Sequence, residues 1–141
     1  MRGSTQLRGA LVVAIGGALG AVARYGIASL VTLYWKGPFP LGTLIINISG
    51  SFVIGLLLPL YSDQSTVSPG WRLLLAVGFI GAYTTFATFE LETLRLIETG
   101  RLFWAATYVA SSVLCGLFAV LAGAGAARWL GLASFFARMS S

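Results

Sequence analysis

The sequence predicts an all-α membrane protein with four transmembrane helices. Only 9% of its 141 residues are charged, whereas soluble domains carry about 25%. The charges are also segregated, because four long windows contain none: Gly9–Ala23, Gly37–Ser62, Leu73–Phe89 and Leu102–Ala127. A helix crosses the hydrocarbon core of a bilayer with about 20 apolar residues. Four such helices use nearly the whole chain, so we expect a single integral membrane domain over 1–141.

The four spans follow one another with short connections. The first covers 7–33 and ends before a loop that contains glycine and two prolines. The second covers 41–61 and precedes a polar loop at 62–70. The third and fourth cover 71–97 and 101–129. The four tryptophans fall near the predicted span ends, where amphipathic rings favour the membrane interface: Trp35, Trp71, Trp104 and Trp129.

The composition argues against several classes of function. The chain has no histidine, so it lacks the commonest metal ligand and the commonest general base. Cys115 is its only thiol, which leaves no disulfide framework. The basic residues are scattered at span ends and do not cluster, so the net charge of +5 is not the footprint of nucleic-acid binding. We therefore expect neither an enzyme nor a nucleic-acid-binding protein.

The orientation in the membrane stays open, because the basic residues divide almost evenly between the two sides. Four spans place both termini on one side. That side carries five basic residues and the other carries three, with Arg24 near it: Arg2, Arg8, Arg72, Arg128 and Arg138 against Lys36, Arg95 and Arg101. This bias is too small for the positive-inside rule to decide. The chain either has one orientation that its charge does not reveal, or inserts both ways up and pairs as an antiparallel homodimer.

Small residues recur at helical spacing in two of the spans. Gly16 and Gly20 are four residues apart in the first span, and Ala119, Gly123 and Ala127 repeat this spacing in the fourth. Small residues at this spacing let helix backbones approach closely in lipid. We expect tight helix packing at these positions, in an oligomer.

Asn47 lies in the middle of the second span, and Thr43 lies one turn before it on the same face. A polar group inside a span must be satisfied there or have a use. Two interpretations of Asn47 remain open. Its amide either bonds a neighbouring helix, which is worth about 0.6–2 kcal/mol in membranes, or donates its N–H groups to a dehydrated anion.

The segment Gly81–Phe89 places a glycine and four hydroxyl-bearing side chains in the middle of the third span. Such a sequence is poor material for a continuous helix, since threonine also competes for backbone hydrogen bonds. A break around Gly81–Thr85 would free backbone carbonyls. A membrane tolerates free carbonyls only where a buried group, such as a cation, takes them up. A distorted but unbroken helix is the alternative.

Two further sets of residues have both a structural and a functional interpretation. Phe86 and Phe89 share one helix face, where they either pack or present their positive ring edges to an anion, with the weak binding that fast conduction requires. Arg24 is either an interfacial anchor or the positive charge of a vestibule that attracts anions. Tyr108 and Ser112, four residues apart in the fourth span, either line a path or bridge helices.

These motifs resemble those of the Fluc-type (CrcB-like) fluoride channels over essentially the whole chain. The matching elements are Gly20–Tyr25, Gly42–Asn47 with Gly50, and Gly81 with Thr84–Phe89 and Glu92. The resemblance implies an antiparallel, dual-topology homodimer with two pores in the cell (inner or plasma) membrane. It also implies passive export of fluoride, which protects the cell from fluoride toxicity.

The resemblance further implies roles for individual residues. Backbone carbonyls of Gly81 and Thr84 would hold one central Na⁺ that is not transported. Arg24 would stand at the mouth of the pore, and Glu92 would be the acidic residue that follows the motif of the third span. The fluoride pathway would be lined by eight residues: Asn47, Phe86, Phe89, Thr43, Thr85, Thr88, Tyr108 and Ser112.

The chain departs from the family pattern at two positions. Ala82 stands where the family usually has Gly, and Ala87 stands where it usually has Ser. Ala82 restricts the backbone slightly, and Ala87 removes one hydroxyl and any pore contact that this hydroxyl makes. Neither change affects the proposed cation ligands, because those ligands are carbonyl oxygens.

Two other classes of membrane protein are alternatives to the channel. A small four-span multidrug/proton antiporter needs a membrane-embedded carboxylate, and the first acids in any span are Glu90 and Glu92, late in the third. The antiporter is therefore the weaker alternative. A non-conducting membrane scaffold would explain the small-residue packing, but it leaves Asn47 and the threonine run without a use.

Overall fold

A computed structural model describes residues 2–58 and 69–139, and this part of the chain consists of helices joined by short turns and loops, without strands. Three stretches are long and apolar enough to cross a membrane: Ser4–Tyr34, Arg72–Glu98 and Leu102–Trp129. A fourth, shorter apolar helix covers Leu41–Leu56. The protein is therefore an all-α, multi-pass membrane protein, as predicted. The end of the second predicted span (59–61) and most of the polar loop at 62–70 lie outside the described residues.

The described helices are, in chain order, α1 (Arg2–Tyr34), α2 (Leu41–Leu56), α3 (Pro69–Trp71), a π-helix (Arg72–Ile80), α4 (Gly81–Tyr83), α5 (Phe86–Glu98), α6 (Leu102–Trp129) and α7 (Leu132–Met139). The third span consists of several of these pieces, from the π-helix to α5. Two residues with extended backbone, Thr84 and Thr85, separate α4 from α5. These two residues are called the break below. Elsewhere, Gly100 (φ 73°) follows α5 and Gly131 (φ 63°) separates α6 from α7, both in the left-handed region that favours glycine.

The first helix packs on the π-helix through glycines. A side chain added at Gly16 would collide with the carbonyl oxygen of Leu74, and one at Gly20 would collide with that of Phe79. From the other side, a Cβ at Gly78 would lie 2.8 Å from the Val13 oxygen. The two backbones are therefore in direct contact, which only glycine permits.

The second helix packs on α6 in the same manner. A side chain at Gly55 would meet the Val120 oxygen, and one at Gly123 would meet the Phe52 oxygen. The prediction of tight packing at the small residues is thus confirmed. At Gly16, Gly20 and Gly123 this packing is within one chain, because each contacts another helix of its own chain. The expected oligomer stays a prediction.

The buried core is small and lies between the helix pairs. One cluster consists of Leu57, Ala76 and Ile80, and another consists of Leu96, Ala105 and Tyr108. By contrast, large apolar side chains of α1 and α6 remain exposed along much of their length. An exposed apolar surface of this extent is typical of a protein whose exterior faces lipid or a partner subunit.

Candidate functional site

The break ends one helix and begins the next by side-chain hydrogen bonds. The backbone of Thr84 is extended (φ −78°, ψ 159°), and its N–H and Oγ1 both donate to the Ile80 oxygen, at 3.1 and 3.0 Å. Thr85 is also extended and caps α5, because its Oγ1 accepts from the Thr88 N–H at 3.4 Å. Thr85 Oγ1 in turn donates to Thr88 Oγ1 at 2.9 Å. The Thr85 hydroxyl therefore accepts from an N–H that would bond a backbone carbonyl in a continuous helix.

Asn47 of α2 binds the backbone of the break at two points. Its Nδ2 donates to the Thr85 carbonyl oxygen at 3.1 Å, and its Oδ1 accepts from the Thr85 N–H at 2.9 Å. The side-chain amide thus pairs with the peptide groups of Thr85 as a neighbouring strand would. Of the two interpretations that the sequence left open, the bridge between helices is present. One Nδ2 hydrogen remains for another acceptor.

Two neighbours of Asn47 also hold the break, and sequence reasoning gave neither of them this role. Gly50 lies beneath the break, where an added side chain would collide with the Thr84 methyl group and lie 3.2 Å from the Tyr83 ring. The Ser49 hydroxyl lies 2.7 Å from the Tyr83 hydroxyl. The spacing from Asn47 to Gly50, one helical turn, is a usable signal for Gly50. No sequence pattern links Ser49 to Tyr83, which are 34 residues apart.

A cleft of about 410 Å³ opens beside the break and is called the break cleft. Six of the predicted site residues line it: Asn47, Thr84, Thr85, Phe86, Phe89 and Ser112. Its other lining residues are glycine, serine or aliphatic, so the cleft has no charged side chain. Ser112 Oγ is buried and has no hydrogen-bond partner among the described residues. A buried hydroxyl without a partner is unfavourable by about 1–3 kcal/mol, which makes it a ready donor for a bound species.

The two phenylalanines are the first two members of a row of four aromatic rings. Phe86 is 71% exposed, and its ring centroid is 5.8 Å from that of Phe89. Phe89 packs inward against Tyr108, with centroids 5.2 Å apart. Tyr108 in turn meets Phe39 edge-on at 5.5 Å. Phe86 is therefore free to meet a partner on its outer side, whereas Phe89 is fixed by the core.

Glu92 joins three helices beside this row of rings. Thr43 of α2 donates to Glu92 Oε1 at 2.9 Å, and Tyr108 of α6 donates to Oε2 at 2.7 Å. The hydroxyl protons of Thr43 and Tyr108 are thus already engaged. Thr43 and Glu92 line a second cleft of about 390 Å³ at the α1–α2 loop, which also contains Arg95 and Arg101.

Four predicted site residues lie outside both clefts. Tyr108 is fully buried beside Glu92 and lines neither cleft. Arg24 is half-buried on α1, and within the described residues no hydrogen bond or ion pair involves it. Gly81 is exposed at the start of α4. Thr88 is half-buried and bonded to Thr85.

The break fits a cation held by backbone carbonyls. In a continuous helix the Gly81 carbonyl would accept from the Thr85 N–H, which here donates to Asn47 Oδ1 instead. The extended backbone of Thr84 likewise takes its carbonyl out of the helical pattern. Neutral oxygen ligands suit a hard cation such as Na⁺. The described residues contain no cluster of three or more His, Cys, Asp or Glu side chains that could offer a competing site.

Comparisons with known proteins agree with the motifs. The family model described as CrcB-like protein, Camphor Resistance (CrcB), matches residues 11–124. A protein of Acidobacterium capsulatum named fluoride-specific ion channel FluC is 46% identical over 122 residues, which cover 86% of this chain and 91% of that protein. A protein of the same name from Allorhizobium ampelinum is 43% identical over 125 residues, covering 88% and 99%. This chain therefore belongs to the CrcB-like family.

Proposed function

We propose that the protein is a fluoride channel that lets fluoride leave the cell passively and so lowers its cytoplasmic concentration. One observation carries the proposal: the break cleft combines the Asn47 amide, the unpartnered Ser112 hydroxyl and two phenylalanine rings without any charged side chain. The names of the two relatives support fluoride as the ion.

The chemistry of this cleft suits a small anion that must also leave again. A halide that enters a membrane loses hydration worth tens of kcal/mol, so it needs donors along its path. The second Asn47 N–H, the Ser112 hydroxyl and the ring edges of Phe86 and Phe89 are such donors. None of them carries a full charge, so binding stays weak enough for conduction. Thr85 and Thr88 brace the break. Thr43 and Glu92 line the end of the path near the α1–α2 loop, where Tyr108 holds Glu92 from behind.

The open cleft beside the polar break also supports a dimer. Irregular backbone is tolerated at membrane depth only when protein or water covers it. In a single subunit the break cleft is open, and Phe86 stands 71% exposed beside it. A second, antiparallel copy would cover both. We infer a dual-topology homodimer in the inner membrane, with each chain forming one integral membrane domain and the break in mid-membrane.

A structural Na⁺ is the remaining part of the proposal. The carbonyls of Gly81 and Thr84 would hold it where the two subunits meet, and it would not be transported. When bound, the ion supplies positive charge that satisfies carbonyls freed from helical bonding. An antiporter receives no comparable support, because the break cleft has no carboxylate and Glu92 is already bonded to Thr43 and Tyr108.

Fluoride efflux from liposomes tests the channel. Purified protein would be reconstituted into vesicles loaded with potassium fluoride or potassium chloride in Na⁺ buffer, with valinomycin to carry the counter-ion. Ion-selective electrodes should record release of fluoride and retention of chloride. Vesicles without protein are the control. Absence of fluoride release above this control would refute the channel.

A further inference from the structure

Ser49 and Tyr83 form a second bond between α2 and the break. Tyr83 is the last residue of α4 and only 6% exposed, and its hydroxyl lies 2.7 Å from Ser49 Oγ. Ser49 Oγ also lies 2.7 Å from the Ile45 carbonyl oxygen, which can only accept. A serine hydroxyl has one proton to donate, and Ser49 donates it to the Ile45 carbonyl. Tyr83 is therefore the donor to Ser49.

This bond and the Asn47 bond hold different ends of the break. Asn47 binds Thr85, the second residue of the break, whereas Ser49 binds Tyr83, which precedes the break. Gly50 lies against both Tyr83 and Thr84. Three neighbouring positions of α2 thus hold the two ends of the interrupted helix.

The end of α4 is held by this second bond. Because α4 continues the π-helix directly, its start is fixed by the preceding helix, whereas its last residue, Tyr83, borders the break. The Tyr83 side chain is held by stacking on Phe79, with centroids 5.9 Å apart, and by its hydroxyl on Ser49. Tyr83 lies between Gly81 and Thr84 in sequence, so its placement affects the direction of their carbonyls.

We propose that Ser49 and Tyr83 are positioning residues for the cation site at the break. They orient the carbonyls of Gly81 and Thr84 without binding the ion, since both hydroxyls are already engaged with each other and with Ile45. The inference rests on the proposed function only in assuming that these carbonyls hold Na⁺. It adds that the side chains of Ser49 and Tyr83 determine how tightly these carbonyls hold Na⁺.

Ser49 and Tyr83 are not equivalent, so the loss of each hydroxyl should affect the cation site differently. Ser49→Ala leaves the Tyr83 hydroxyl buried without an acceptor, whereas Tyr83→Phe leaves Ser49 its bond to Ile45. An orphaned buried donor is more unfavourable than the loss of a matched pair. Ser49→Ala should therefore disturb the site more than Tyr83→Phe does. The double variant removes the orphan and should behave like Tyr83→Phe alone.

Melting temperatures of the purified dimer, measured at increasing Na⁺ concentrations, test this order of effects. N-methyl-D-glucamine keeps the ionic strength constant. Ser49→Ala should raise the Na⁺ concentration for half-maximal stabilisation about fivefold to tenfold, as expected for an unsatisfied buried group. Tyr83→Phe and the double variant should each raise it about twofold. Ser49→Thr keeps the hydroxyl and should stay near the wild type. Thr32→Ala is the control, because the Thr32 hydroxyl donates only to the Ala28 carbonyl of its own helix.

The outcomes separate this inference from the proposed function. If Na⁺ does not stabilise the wild type, the cation site itself is refuted. If Na⁺ stabilises the wild type and Ser49→Ala has the same half-maximal concentration, the positioning role is refuted. A lower melting temperature at every Na⁺ concentration, with no change in that concentration, would also refute it. Fluoride efflux of Ser49→Ala should recover at saturating Na⁺.

Discussion

The side-chain amide of Asn47 and the peptide groups of Thr85 form two hydrogen bonds, at 3.1 and 2.9 Å, that join α2 to the interrupted third span. The pairing satisfies both an N–H and a C=O that a continuous helix would have used. It also keeps the Asn47 amide beside the break cleft with one N–H to spare. The same residue can therefore support the break and face the ion.

Asn47→Asp should suppress fluoride efflux at least about tenfold, because a buried charged group left without a proper partner is highly unfavourable. The carboxylate cannot donate to the Thr85 carbonyl, so two acceptors would face each other across 3.1 Å. Its negative charge would also repel fluoride. The liposome assay measures the rate, and size-exclusion chromatography checks that the dimer still forms. Efflux at the wild-type rate would contradict the role of Asn47 in the path.

Phe86→Ile should also reduce efflux while the dimer persists. Isoleucine keeps an apolar side chain but removes the ring edge that we expect to meet the anion. Phe118→Ile is a matched control, because Phe118 on α6 is 73% exposed, close to the 71% of Phe86, and does not line either cleft. Equal rates for the two variants would place the path elsewhere.

The helices and the main members of the cleft could be predicted from the sequence, because their signals are local. Charge-free windows mark the helices, and hydroxyl-rich sequence marks the position where Thr84 and Thr85 leave the helix. Asn47 stands out because a lone amide in a span needs a partner. Local patterns of this kind do not depend on how the chain packs.

The partners of the polar groups could not be predicted in the same way. Thr43 and Tyr108 are 49 and 16 residues from Glu92, and only packing brings their hydroxyls to the same carboxylate. Similarly, spacing alone cannot tell whether Gly16 and Gly20 contact another subunit or another helix of the same chain. The π-helix at Arg72–Ile80 carries no distinct sequence signal, because local propensities do not distinguish it from an α-helix.

Removal of Na⁺ should inhibit the channel. With N-methyl-D-glucamine as the only cation besides potassium, the carbonyls of Gly81 and Thr84 lose their proposed ligand, and free carbonyls at membrane depth are unfavourable by several kcal/mol. Efflux should fall in this buffer and recover when Na⁺ is restored. The liposome assay measures both steps on one preparation. Equal rates in the two buffers would argue against a cation at the break.

Gly50→Ala should destabilise the protein by about 1–3 kcal/mol, the range for overpacking a tight site. The added methyl would collide with the Thr84 methyl group and crowd the Tyr83 ring, so the break would have to move away from Asn47. The melting temperature in detergent and the rate of fluoride efflux should therefore both decrease.

Gly125→Ala provides the opposite case, because a Cβ at Gly125 of α6 meets nothing within 4 Å. Because alanine has a higher helix propensity than glycine, the free energy of unfolding of Gly125→Ala should be unchanged or higher by no more than about 1 kcal/mol. Its melting temperature should accordingly stay the same or rise slightly. A general intolerance of the helices to alanine would lower both variants alike. A loss of stability confined to Gly50→Ala would instead show that the position packed against the break needs a residue without a side chain.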